Sequence, residues 1–175
     1  NVHSAPYCDL VNTFYGRDDV PIGTVRNGPT PGEGNYTQAV ATAREASSLL
    51  EDHRHHLVVQ LAPDGSDLED AAGAPVLEIP HGPDTEQAAR HIRQARPDAV
   101  LSVRIPLDEH AAERASSLAP ELADVIHLQA QPGGNGLGAR SEDFVTTLVR
   151  EVHLALVDDR LRDRVTLLVT GGIAM

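Results

Sequence analysis

The chain has 175 residues, 41% of them hydrophobic, which suits one α/β domain with a core of useful size. A net charge of -12 argues against nucleic acid and anionic membrane as partners, because both require a basic face. All 14 basic residues are arginine, so Schiff-base and P-loop lysine chemistry are excluded and any cationic role falls on guanidinium.

Along the chain, Ser4 to Gly16 reads as a short helix, with Pro6 in its first turn and Gly16 as a left-handed cap. Cys8 inside it is alone, which rules out a disulfide framework and favours a reducing, cytoplasmic setting. Val20 to Val25 reads as a short extended piece and the residues from Asn27 to Gly34 as a loop. A helix rich in alanine and glutamate is predicted from Thr37 to Leu50, capped by Thr37. Tyr7, Phe14, Tyr15 and Tyr36 all fall in the first 36 positions and Phe144 alone lies beyond them, so residues 1–50 and 57–175 are expected to come from different structural contexts. A start at Asn1 rather than methionine is expected of a processed product or a fragment. No stretch has the form of a signal peptide or approaches the ~20 apolar residues of a membrane helix.

From Leu57 the pattern becomes regular. Apolar runs of strand length recur at Leu57 to Leu61, Pro75 to Ile79, Ala99 to Ile105, Asp124 to Leu128 and Val165 to Val169. Asp84 can cap a helix whose Ala88, Ile92 and Ala95 share a face and which Pro97 ends. Asp108 can cap a second, with Ala111, Ala115 and Leu118 inward and Pro120 as the stop. Ser141, with Glu142 and Asp143 near the positive dipole end, is expected to start a third, and Phe144, Leu148, Val152 and Leu156 to form its buried stripe. Such alternation signals parallel βαβ units, in a partial TIM-type barrel or a small open sheet, because a full barrel takes ~250 residues.

Several residues could carry chemistry. Gln131-Pro-Gly-Gly-Asn-Gly136 follows a strand, so Gly133, Gly134 and Gly136 either let backbone amides approach a ligand or serve only the turn. Gly171 and Gly172 at the end of the last strand offer the same two readings, the functional one being a phosphate site. Arg104 is the lone charge in its apolar run and needs a carboxylate, a ligand or the open end of the sheet. Gln129 lies near a strand end and is a candidate ligand contact, whereas His127 reads as a satisfied interior residue rather than an acid or base. His53, His55 and His56 lack metal-ligand spacing and read as a solvated helix end. Asp67, Glu69 and Asp70 lack the glycine and terminal glutamate of a calcium loop and read as a solvated loop; no metal site is assigned. No Gly-x-Ser-x-Gly occurs and Cys8 has no evident histidine partner, so nucleophilic hydrolysis has no support at this level.

The order and spacing of Ala99-Val-Leu-Ser-Val-Arg-Ile, Asp124-Val-Ile-His-Leu with its Gly-Gly-Asn-Gly, and Leu161-Arg-Asp-Arg-Val-Thr-Leu-Leu-Val-Thr-Gly-Gly-Ile resemble the FMN-binding barrel domain of glutamate synthase. That resemblance implies FMN at the C-terminal ends of the strands. It places Arg104 where the family commonly has a lysine near the flavin, Gly133, Gly134 and Gly136 in the following glycine loop, and Gly171 with Gly172 at the start of the phosphate site. The family's cysteine-bound iron-sulfur cluster and its last strand have no counterpart here. The expectation is therefore a truncated FMN-dependent oxidoreductase domain acting on a small-molecule substrate, as a homo-oligomer or with the missing domains of a longer chain. Separately, Asn1-Val-His-Ser-Ala-Pro-Tyr and Leu10-Val-Asn-Thr-Phe-Tyr-Gly-Arg-Asp-Asp-Val-Pro-Ile-Gly resemble an internal stretch of inosine-uridine-type nucleoside hydrolases. The alternatives are thus a nucleoside hydrolase fragment cleaving N-glycosidic bonds, and a catalytically inactive α/β fragment acting in assembly.

Overall fold

In the computed structural model, the described residues are 39–42, 57–71, 73–119 and 121–171. The expected elements before residue 39, the three histidines at 53, 55 and 56, Pro120 and Gly172 lie outside them. The strands are β1 (Ala39–Thr42), β2 (Leu57–Gln60), β3 (Val76–Pro80), β4 (Val100–Pro106), β5 (Val125–Gln129) and β6 (Thr166–Thr170). Among the described residues three α-helices intervene, α1 (Thr85–Ala95), α2 (Ala111–Leu118) and α3 (Val145–Asp158).

All pairings are parallel and the sheet order is β1-β2-β3-β4-β5-β6. A doubly wound sheet reverses direction at a switch point, whereas here every described strand joins the one before it. Right-handed crossovers in a single direction put successive helices on one face, which is the winding of a barrel. The fold is α/β, built of parallel βαβ units as a partial TIM-type barrel.

The strand alternation sorts side chains between two faces. Val59, Leu77, Ile79, Leu101, Val103, Ile105, Ile126, Leu128 and Leu167 form one buried cluster with Ala88, Ala89 and Ile92 of α1, Ala111, Ala115 and Leu118 of α2, and Val145, Leu148, Val152 and Leu156 of α3. The opposite face carries Gln60, Glu78, Ser102, Arg104, His127, Gln129 and Thr170, brought side by side by the register Gln60↔Glu78↔Ser102 and Arg104↔His127.

Four local expectations are corrected. Ala39–Thr42 is a strand rather than part of a helix from Thr37, because the edge of Leu57–Gln60 supplies main-chain partners and Val40 and Thr42 are β-branched. Ala95 is exposed, and Thr85, Ala88, Ala89 and Ile92 make the inward face of α1. The third helix starts at Val145, not Ser141, since the preceding residues fold back as a loop closed by an Asn135↔Phe144 bridge and by Gly136 N–H donating to the Asp143 carbonyl at 2.9 Å. Phe144 is consequently 54% exposed, and Val145 replaces it in the buried stripe. Finally, Asp67 is no bystander of a solvated loop: its carboxylate accepts from Ala62 N–H at 2.8 Å and pins the turn after β2, while Glu69 and Asp70 are exposed.

The caps also differ in detail. Asp84 stands at the N-cap of α1 without a side-chain bond, and Thr85 Oγ1 instead accepts from Gly82 N–H at 2.6 Å and donates to its carbonyl at 2.9 Å. Asp108 sits two residues before the N-cap of α2, where it accepts from His110 N–H at 2.9 Å and from Arg114 at 2.7 Å.

Candidate functional site at the strand ends

The polar face of the sheet converges on Glu78. A carboxylate at the centre of a parallel strand must be surrounded by donors, since an ion without partners is costly to bury. Glu78 is 3% exposed and accepts from Gln60 Nε2 at 3.1 Å, Ser102 Oγ at 3.1 Å and His127 Nδ1 at 2.6 Å. Arg104 lies 3.7 Å away on the Oε1 side. Burial pushes the Glu78 carboxyl up, but the hydrogen bond and charge of His127, the Arg104 guanidinium and the Ser102 hydroxyl together hold it below its ordinary value.

The far nitrogen of His127 reaches β6, where Nε2 lies 2.8 Å from Thr170 Oγ1. Because the ionised carboxylate is acceptor-only, Nδ1 carries the proton in the neutral ring; Nε2 is then the acceptor and the threonine hydroxyl donates. The outcome is a chain of polar groups crossing from β2 to β6, Gln60, Glu78, His127 and Thr170, with Ser102 and Arg104 alongside.

Arg104 therefore finds the carboxylate its apolar surroundings demand, and its side chain remains 27% exposed toward the C-terminal end of β4. Gln129 ends β5 with an exposed side chain. In register, Gln129 pairs with Thr170 at the ends of β5 and β6, and Arg104, level with His127, lies on the same face two residues before the end of β4.

The glycines divide by cause. Gly134 needs its freedom for φ 82° and donates its amide to the Gln131 carbonyl at 3.0 Å. Gly136 is enclosed: a Cβ there would fall 2.4 Å from Leu148 Cδ1, 2.6 Å from the Arg140 carbonyl and 3.0 Å from that of Leu107. Its amide is already bonded to Asp143, so both these residues answer to the chain's own turn. Gly133 is exposed, with nothing nearer to its missing Cβ than Asn135 Oδ1 at 3.9 Å. Gly171 has φ 114° and its Cβ would sit 2.6 Å from the Ala130 carbonyl, so the turn leaving β6 is open only to glycine.

Around the loop, Gln131 Nε2 donates to the Gly136 carbonyl at 2.7 Å. Arg140 pairs with Asp143 and holds Glu151 of α3 through two bonds of 2.9 Å. These contacts fix the loop to the helix behind it.

The structure thus brings Arg104, Gln129 and Gly171 to neighbouring strand ends and puts Gly133 at the tip of the adjoining loop. His127 is buried and engaged at both ring nitrogens. Glu78 and Thr170 join the site from the structure alone, although Glu78 is a lone charge in an apolar run, the same signal that singles out Arg104. Among the described residues, no helix is long and apolar enough to cross a membrane.

Comparison with known proteins gives a consistent answer. Residues 58–175, more than half of the chain, match the family model described as the conserved region in glutamate synthase. The ferredoxin-dependent glutamate synthase of Pyropia yezoensis is 32% identical over 95 residues, which is 51% of this chain and 6% of that protein. Ferredoxin-dependent glutamate synthase 2 of Synechocystis sp. is 30% identical over 95 residues, again 51% of this chain and 6% of the relative. The aligned part is therefore a small share of either relative. No solved structure matches the chain. The family match starts at residue 58, so the first forty residues fall outside it.

Proposed function

The chain belongs to the family of the conserved glutamate synthase region, and from that premise we propose that the ends of β4, β5 and β6 form an FMN site of a glutamate-synthase-type oxidoreductase. The observation that carries this reading is the convergence of Arg104, Gln129 and Gly171 on three adjacent strand ends, the end of a β/α barrel at which ligands are bound. The residues present fit such a group. A partly exposed guanidinium supports an electron-rich ring, an exposed amide offers both donor and acceptor, and Gly133 and Gly171 keep the approach free of side chains. By family resemblance Gly172 would continue the phosphate cradle.

FMN, when bound, carries hydride equivalents to or from a small-molecule substrate. The chain's own contribution is to hold and orient it. Glu78 keeps Arg104 from swinging away from the strand end, and Gln131 and Arg140 brace the loop that bears Gly133. A cytoplasmic setting, and association into oligomers or with further domains, complete the proposal.

Titration of the chain with FMN, followed by flavin fluorescence and visible absorbance, tests it. Saturable quenching is expected, weakened at least tenfold by Arg104→Ala. An unchanged flavin spectrum at excess protein overturns the reading. The internal commitment of Arg104 to Glu78, and of the Gly134 and Gly136 amides to the loop, favours a second reading as an inactive α/β domain acting in assembly. That reading predicts no flavin quenching together with concentration-dependent sedimentation.

A further inference from the structure

Independently of flavin, we propose that Thr170 is a reactive hydroxyl, with His127 as its general base and Glu78 orienting the base, and that this constellation accepts acyl groups from small activated esters or thioesters. A hydroxyl becomes nucleophilic when a base stands within hydrogen-bond reach and a third group fixes that base. Thr170 Oγ1 lies 2.8 Å from His127 Nε2, and His127 Nδ1 lies 2.6 Å from Glu78 Oε2. Both ring nitrogens are thus engaged in the sense required, proton toward the carboxylate and lone pair toward the hydroxyl.

The carboxylate is itself held. Gln60 and Ser102 occupy further lone pairs of Glu78 from β2 and β4, so it cannot rotate off the imidazole. Thr170 is also correctly placed. It is the last residue of β6, half-buried, and the chain turns away at once through Gly171 at φ 114°, a position with no side chain to cover the hydroxyl.

In the reaction, Thr170 Oγ1 bonds to the acyl carbon and its proton passes to His127 Nε2. The bond from that carbon to the leaving oxygen or sulfur breaks, and the departing alcohol or thiol takes the proton.

The test is incubation of the whole chain with p-nitrophenyl acetate, followed by peptide mass spectrometry. One acetyl group is expected on Thr170, absent in Thr170→Val and retained in Thr170→Ser. His127→Ala is expected to lower the acetylation rate at least tenfold, with partial recovery on adding free imidazole, a rescue that a structural role would not give. Should His127→Ala fail to fold by circular dichroism, His127→Gln takes its place, and the wild-type and Thr170→Ser results stand by themselves. An unmodified Thr170 in the wild-type chain, or undiminished acetylation in the folded His127 variant, overturns the proposal. Neither result bears on FMN quenching, so the two readings fail separately.

Discussion

Replacing Gly136 by alanine separates a glycine required by packing from one required by a ligand. The new methyl would lie 2.4 Å from Leu148 Cδ1, well inside the ~3.8 Å at which carbon atoms attract, and 2.6 and 3.0 Å from two backbone carbonyls. Leu148 is 2% exposed and packed within the core, so its methyl has little room to yield. The carbonyls are fixed too, since that of Leu107 accepts from Leu137 N–H at 2.9 Å and that of Arg140 from Asp143 N–H at 3.0 Å. Overpacking of this kind costs about 3 kcal/mol. For a chain of this size that corresponds to a fall in Tm of roughly 6–12 °C. Gly133→Ala is the control: its Cβ meets nothing closer than 3.9 Å, so stability should stay within about 0.5 kcal/mol of the parent. Thermal melts of the ligand-free proteins by circular dichroism decide the matter. Equal melting temperatures for Gly136→Ala and the parent would refute the packing account and return Gly136 to the ligand site.

Further outcomes follow from the same geometry. Glu78→Gln should lower stability by about 3 kcal/mol near neutral pH by breaking a buried charge network. Since the folded-state value of Glu78 lies below its ordinary 4.5, its contribution is present above that pH and is lost as pH falls through the depressed value; the urea midpoints of parent and variant should therefore converge on acidification. Arg160 holds φ 59° at the end of α3, where Leu161 N–H donates back to the Leu156 carbonyl at 2.7 Å, so Arg160→Gly should gain about 1 kcal/mol in chemical denaturation. Phe144→Ser should change stability by less than about 0.5 kcal/mol, whereas Leu148→Ala should cost about 2–5 kcal/mol; comparable losses in urea melts would show that the buried stripe of α3 does include Phe144.

The strands from Leu57 onward were legible because the face packed on the helices is apolar throughout and the polar residues of the other face interrupt each run only singly. The helices followed from their buried spacing, and Ala111, Ala115 and Leu118 point inward as their period required. Ala39–Thr42 was not legible: its alanines favour a helix locally, and only the edge of β2 makes it a strand. Ser141 and its acidic neighbours carry a genuine helix-start pattern, which lost to the loop bonds that Gly134 and Gly136 make with Val145 and Asp143, so the helix begins four residues later. At the site, Arg104 and Gln129 stood out by charge and position. Ser102 and Thr170 did not, because each is unremarkable in its own strand, and Glu78, a lone charge among apolar neighbours, shows its role only beside His127 and Arg104. Their meaning comes from register across five strands, which no single segment encodes.

The unbroken order of the strands bears on how such a chain is made. Val58 meets Val76, Val76 meets Val100, and Ser102 meets Val125, so each strand finds its partner in the segment synthesised just before it. Among the described residues, no strand has to wait for a distant sequence or be inserted between two already paired. As the chain leaves the ribosome, each completed βα unit can dock on the growing edge, in an assembly dominated by near neighbours and exposed to few wrong pairings. The polar chain from Gln60 to Thr170 would then close last, when β6 brings its threonine to the waiting histidine.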